Sequence, residues 1–187
     1  MKKSIAILVV AGLAASATAQ SEGYEFKVDG ALSPSNPSVN VTLAATFPAA
    51  DYAFAGARLD VIASEAGWGT PELILMGPGT TAGTVAGASV EGIIVGQLNF
   101  PPGMIFADPS NPIDVWKSDF APADVTTVRT IDLSTSTGQF AIYPERDSSV
   151  SETRTPTEGA GAIEVIPAPA SLALLGLGGL AAARRRR

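Results

Sequence analysis

Between residues 24 and 166 apolar and polar positions repeatedly alternate with a period of two, the pattern of strands that bury one face. Tyr24, Phe26 and Val28 alternate with Glu25 and Lys27, and Gly30 closes the run. Val39, Val41 and Leu43 oppose Asn40 and Thr42 in a second strand that reaches about Phe47 and ends at Pro48. Asp51 to Glu65 reads two ways, because Tyr52, Phe54 and many alanines suit a helix. Ala57, Leu59, Val61 and Ala63, alternating with Arg58 and Asp60, favour a strand over residues 55–64. Gly67-Trp68-Gly69 then marks a tight corner, with Trp68 expected to serve core or edge packing.

The second half continues the pattern in shorter pieces. Strands are expected at 73–76, at 91–100 through Ile93, Ile94, Val95, Leu98 and Phe100, at 104–106 and at 113–116. Further strands are expected at 125–133, 139–143 and 162–166, with 79–88 a loop that holds at most a weak edge strand. β-Branched residues in 125–133 favour strand over helix. Residues 144–161 are polar and rich in Ser and Thr, which predicts an exposed loop. Short strands, close turn signals and no convincing long helix predict an all-β fold, a single two-sheet sandwich over residues 20–166. No repeat at solenoid or propeller spacing interrupts it.

The two ends have a different character. Lys2 and Lys3, the apolar run Ile5 to Ala15 and the small residues Ala17-Thr18-Ala19 before Gln20 make a secretory signal peptide over residues 1–19. Its expected partners are the Sec translocon and signal peptidase. At the other end Pro167-Ala168-Pro169 precedes 14 small and apolar residues, 170–183, and then Arg184, Arg185, Arg186 and Arg187. As a helix the apolar run reaches about 21 Å, against about 30 Å of hydrocarbon, which is short for a permanent span. The arginines are a block that stays on the cytoplasmic side, so the segment pauses in the inner membrane with the preceding chain outside. This is the physics of a processed sorting signal.

That tail, residues 167–187, closely resembles the PEP-CTERM sorting signal of bacteria that make extracellular polysaccharide, with Ala168 in place of the central glutamate. The resemblance implies a membrane-embedded exosortase-type transpeptidase that cuts at the Pro-x-Pro motif and releases or attaches the protein outside. The implied location is the outer cell surface or extracellular matrix, after transient anchoring in the inner membrane through a short C-terminal apolar helix. The run from Val39 to Ser64, a strand, an aromatic link and a second strand, is loosely similar to the opening of cohesin-like and other carbohydrate-associated bacterial sandwiches. The expected sandwich is therefore of jelly-roll or cohesin-like type.

Charge sharpens this picture. All 18 acidic residues lie between Glu22 and Glu164, whereas 6 of the 12 basic ones sit in the two ends, so the mature segment carries 6 minus 18, or −12. Nucleic acid is excluded as a partner, because phosphate neutralisation needs clustered Lys and Arg. The chain contains no cysteine and no histidine, which removes disulfide staples, triad hydrolases of the usual kind and the commonest metal ligand.

The remaining candidates for chemistry are few. Asp108, Asn111 and Asp114, with Asp119 beyond, form the densest group of oxygen ligands and are the candidate calcium site, although their spacing matches no EF-hand loop. Pro109 and Pro112 explain the same segment as a turn. No carboxylate pair stands out for glycoside hydrolysis. Asn40-Val41-Thr42 sits in a strand and is assigned no glycan, and O-linked sugar on the loop near residue 150 rests on composition alone. The expected role is an exported structural or matrix protein without catalytic residues or cofactor. The alternative is a carbohydrate-binding or adhesive module that presents exposed aromatics to an extracellular polysaccharide, stabilised by calcium.

Overall fold

The computed structural model describes residues 21–136 and 138–166. The signal peptide with its cleavage residues Ala17, Ala19 and Gln20, and the tail from Pro167 to Arg187 with its apolar helix, lie outside the described residues. No helix among the described residues is long and apolar enough to cross a membrane.

The chain forms β1 (Gly23–Val28), β2 (Val39–Thr46), β3 (Ala53–Ala63), β4 (Glu72–Leu73), β5 (Thr84–Ala86) and β6 (Ser89–Gly96). After one 3₁₀ turn at Pro101–Gly103 follow β7 (Ile113–Phe120), β8 (Arg129–Thr135), β9 (Gln139–Tyr143), β10 (Glu152–Arg154) and β11 (Ala160–Val165). One sheet has the order β1-β2-β7-β4; the other runs β10-β9-β3-β6-β5 and adds β8, which pairs with β3 and with β11. Every one of these pairings is antiparallel.

β3 is the spine of the larger sheet. Its first half, Ala53 to Arg58, pairs with β9 and its last residues, Val61 to Ala63, pair with β8. Alternation puts Ala57, Leu59, Val61 and Ala63 into the core between the sheets, where they meet Val41 and Leu43 of β2, Val115 and Trp116 of β7 and Ile131 and Leu133 of β8. Three register shifts bend the sheets: between Leu43 and Ala44 against β7, between Phe54 and Gly56 against β9, and between Leu59 and Val61 against β6. At the last of these Gly92 adopts φ 71 and gives its N–H to the Asp60 carboxylate at 2.8 Å. A bulge of this kind needs the left-handed conformation that glycine adopts freely.

Several expected strands move. β7 continues to Phe120, and β8 begins only at Arg129 because Asp124 accepts hydrogen bonds from the Thr126 N–H and hydroxyl, which turns the chain. The residues 152–154 inside the expected loop pair with β9 as β10, and 104–106 is no strand.

The sandwich has two poles. The start of β3, the end of β9 at Tyr143 and the residues after β6 share one pole, where the Tyr52 N–H bonds the Tyr143 carbonyl and the Gln97 N–H bonds the Ala55 carbonyl. The end of β3 and the end of β11 share the other, where Val165 pairs with Arg129 and the Arg129 guanidinium grips Glu65 at 2.6 Å. The 11 residues of β3 separate the poles by about 35 Å at the usual rise per strand residue. The chain leaves for the tail from the β11 pole.

Among the described residues the Tyr24 hydroxyl is buried without a hydrogen-bond partner, and burial raises its pKa well above the usual phenol value. Its ring lies edge-on to Phe140 at 5.6 Å. Tyr24→Phe keeps the ring and removes the orphan, so it is expected to stabilise by up to about 1 kcal/mol in urea unfolding.

Candidate functional site

The residues expected to hold a metal each turn to a separate partner. The Asp108 carboxylate accepts the Ser110 N–H at 2.9 Å and its hydroxyl at 2.6 Å, a local turn that lowers the Asp108 pKa. Asn111 is spent on the backbone of Phe47, donating to its carbonyl at 2.5 Å and accepting its N–H at 3.3 Å. Asp114 pairs with Lys27 at 2.5 Å, and Asp119 lies against Gly69. Among the described residues no three Asp or Glu side chains gather as a metal site. Millimolar calcium is therefore expected to leave the melting temperature unmoved, and a rise of several degrees would show that these side chains rearrange around the ion.

Among the described residues one set of carboxylates does come together, Glu22 and Glu152 on either side of Arg154 with Asp51 close enough to feel all three. Asp124 is held at about 2 by the hydroxyl and N–H of Thr126, Asp29 is lowered by Asn40, and burial raises Asp51. None of these shifts has a second carboxylate as its leading cause.

The tryptophans lie inside. Trp116 is fully buried and its indole N–H reaches the Ala82 carbonyl at 3.0 Å; Trp68 is 7% exposed and reaches the Ala88 carbonyl at 2.9 Å. They meet edge to face at 5.7 Å, and Trp68 meets Phe120 at 4.9 Å. Neither is a platform for sugar stacking. Acrylamide is expected to quench the native fluorescence weakly, and quenching as strong as that of free tryptophan would contradict the burial.

The outer face of the larger sheet carries two shallow depressions on either side of Asp60. One, of about 340 Å³, is lined by Arg58, Ile93, Ile94, Ser136 and Gly138; the other, of about 300 Å³, by Ile62, Ala86, Ala88, Ser89 and Glu91. Both are open to solvent, and one Asp60 oxygen is already taken by Gly92.

The most distinctive surface is at the β9 pole. From Gly92 to Ala107 no residue is ionisable. The latter part of this run, residues 98–106, projects as a short hairpin with Leu98, Phe100, Met104, Ile105 and Phe106 exposed, Met104 by 81%. Single exposed apolar side chains are ordinary, but five along one hairpin are a patch. Sequence periodicity places Leu98 and Phe100 in a buried strand and 104–106 in another. The structure exposes all of them, because β6 ends at Gly96 and Pro101-Pro102-Gly103 folds the chain back on itself.

The hairpin is built firmly. The Phe100 N–H donates to the Ile105 carbonyl at 2.7 Å and the Ile105 N–H returns to the Phe100 carbonyl at 3.2 Å. The N–H groups of Gly103 and Met104 close the turn on the carbonyls of Phe100 and Pro101. Underneath, Asn99 is 3% exposed and takes part in four hydrogen bonds. Its side-chain N–H groups donate to the carbonyls of Arg146 and Ser148, both at 2.7 Å, and its side-chain oxygen accepts the Ala107 N–H at 3.0 Å. Its own N–H reaches the Tyr143 hydroxyl at 3.2 Å. A small cluster of Ala53, Ala55, Ala107 and Tyr143, joined by Tyr52, seats the base. The Arg146 guanidinium lies 4.3 Å over the Phe106 ring, and Asp108, Glu145 and Asp147 are exposed around the base.

Comparison with known proteins gives two findings. Residues 165–187 match the PEP-CTERM protein-sorting motif, so the chain carries that motif at its C-terminus. By shape, the chain is similar to a cohesin module from the Clostridium perfringens ATCC13124 family 33 glycoside hydrolase, with a TM-score of 0.56 and 9% identity over 81% of this chain and 100% of that one. It is also similar to the seventh ScaB type I cohesin from Pseudobacteroides cellulosolvens, with a TM-score of 0.51 and 12% identity over 78% of this chain and 94% of that one. At such identities the likeness is one of fold: a two-sheet antiparallel β-sandwich of cohesin type. No curated protein sequence matches the chain significantly.

Proposed function

We propose that this chain is an exported, non-catalytic binding module, delivered to the cell exterior by its PEP-CTERM tail and making contact there through the apolar hairpin 98–106. The observation that carries the reading is the pairing of a sorting motif over residues 165–187 with an uncharged, firmly hydrogen-bonded apolar hairpin on the domain directly before it. Export through the Sec translocon and signal peptidase, then processing by an exosortase-type transpeptidase at Pro167-Ala168-Pro169, supplies the route. The buried tryptophans favour an adhesive surface over a sugar-stacking one, although Phe100 and Phe106 leave two exposed rings for an extracellular polysaccharide to meet.

The test is the intact mass and location of the protein in its own host, beside a form with Pro167-Ala168-Pro169 replaced by glycines. Loss of the tail from the native protein, with the variant retained whole at the membrane, supports sorting. A native protein that keeps Arg184 to Arg187 at the membrane makes the tail a plain anchor and removes the transpeptidase.

A further inference from the structure

The exposed hairpin at the β9 pole has the chemistry of a tip that enters lipid. We infer that Leu98 to Phe106 inserts into the surface of an uncharged bilayer, presented away from the pole at which the tail leaves. The inference rests on reading this hairpin as the contact surface, and it names the partner.

Four observations favour lipid as the occupant. The first is hydrogen bonding: the N–H groups of Phe100, Gly103, Met104 and Ile105 are all bonded within the hairpin, and Pro101 and Pro102 have none. From Phe100 to Ile105 the turn therefore brings no free donor into a medium that cannot accept one. The second is Met104 itself. It adopts φ 55, a conformation that favours glycine or asparagine, while its side chain is 81% exposed at the tip. A long apolar side chain held in an unfavourable backbone state, with so much of its surface in water, points to a role outside the fold.

The third observation is the collar of charge at the base. The Arg146 guanidinium stacks on Phe106, one of the exposed apolar rings, and so offers a cation to a lipid phosphate next to the apolar tip. Asp108, Glu145 and Asp147 beside it, and a mature charge of 6 minus 18, or −12, oppose both an anionic bilayer and a second copy of this acidic chain. An uncharged, zwitterionic surface meets neither repulsion. The fourth is geometry. The tail leaves after Val165 at the pole about 35 Å away, so the bilayer that the tip enters is not the one the tail would occupy.

The test puts a reporter at the tip. Met104→Trp in the exported protein is mixed with phosphatidylcholine vesicles, with and without phosphatidylglycerol, and Val128→Trp serves as control at the opposite pole. Trp68 and Trp116 are buried and supply a constant background. The expected result is a blue shift of the emission from the indole placed at position 104 and its quenching by acyl-chain-brominated phosphatidylcholine, with no change at position 128. Binding is expected to weaken as phosphatidylglycerol is added, and Phe100→Ser with Ile105→Ser in the probe background is expected to reduce partitioning at least tenfold.

A chain that reaches vesicles by its tail alone leaves the emission of the Met104→Trp probe unchanged, and that outcome overturns the inference. So does an equal shift at position 128, or a blue shift without lipid that grows with protein concentration, which would assign the hairpin to a second copy. Equal or stronger binding to anionic vesicles would overturn the choice of an uncharged surface. None of these results depends on where the host sorts the protein, so they are separable from the fate of the tail.

Discussion

Trp116→Ala is expected to destabilise the sandwich by about 3–5 kcal/mol, the range for removing a large aromatic side chain from a packed core. Trp116 is fully buried, pairs across the sheet with Leu43 and Leu73, and touches Trp68 edge to face. Removing the indole opens a cavity and also strands the Ala82 carbonyl that it holds. In a domain of this size the loss amounts to roughly 10 °C in melting temperature. Trp116→Phe, which fills much of the space but cannot reach Ala82, is expected to fall between wild type and alanine. A melting temperature within a degree or two of wild type for the alanine variant would contradict the packing described.

Asn99→Ala is expected to cost about 2–4 kcal/mol, because hydrogen-bonded partners of a buried amide lose their bonds together. The carbonyls of Arg146 and Ser148 and the N–H of Ala107 converge on this one side chain, which ties the apolar hairpin to the loop after β9. The effect is local as well as global: the variant is expected to be cut by protease near Phe100 to Phe106 before the sandwich unfolds, and to lose hydrogen-exchange protection there first. Asn99→Asp tests the donors alone, since a carboxylate keeps the shape but faces two carbonyl oxygens, and it is expected to be at least as damaging as alanine. Uniform loss of protection across both sheets in either variant would show that Asn99 acts on the whole fold instead.

Much of the fold was legible because its main strands obey a simple alternation. Val39, Val41 and Leu43 go in while Asn40 goes out, and the same rule fixes Ala57, Leu59, Val61 and Ala63. It fails where a bulge intrudes. Ala53, Phe54 and Ala55 are all buried in succession because the register shifts between Phe54 and Gly56, and Val115 and Trp116 are buried together at the shift in β7. A bulge is set by the partner strand, which no local window contains.

The apolar hairpin was less legible, and for the same kind of reason. Leu98, Phe100, Ile105 and Phe106 have the composition of core strands, and nothing in their spacing says that the chain turns before it can bury them. The available signal was Pro101-Pro102-Gly103 between two apolar runs, in a stretch of 16 residues, Gly92 to Ala107, without a single charge. Asn99 was invisible as a post, since the two carbonyls it donates to lie 47 and 49 residues away in the loop after β9. The candidate calcium ligands, close in sequence, are claimed one by one by a turn, a backbone edge and a lysine, partners that their spacing does not announce.

β11 carries the domain directly into the sorting motif. Val165 is paired with Arg129 and almost fully buried, the Ile166 N–H bonds the Leu32 carbonyl, and the matched motif begins at Val165 itself. No spacer separates the last core residue from Pro167. A peptidase that grips a few extended residues upstream of its cut must therefore take them from the sandwich, or reach them before β11 has docked on β8. For the proposed processing, cleavage and folding would compete in time: a fast-folding domain would shield the junction, and lengthening it by a few glycines would let the two proceed independently.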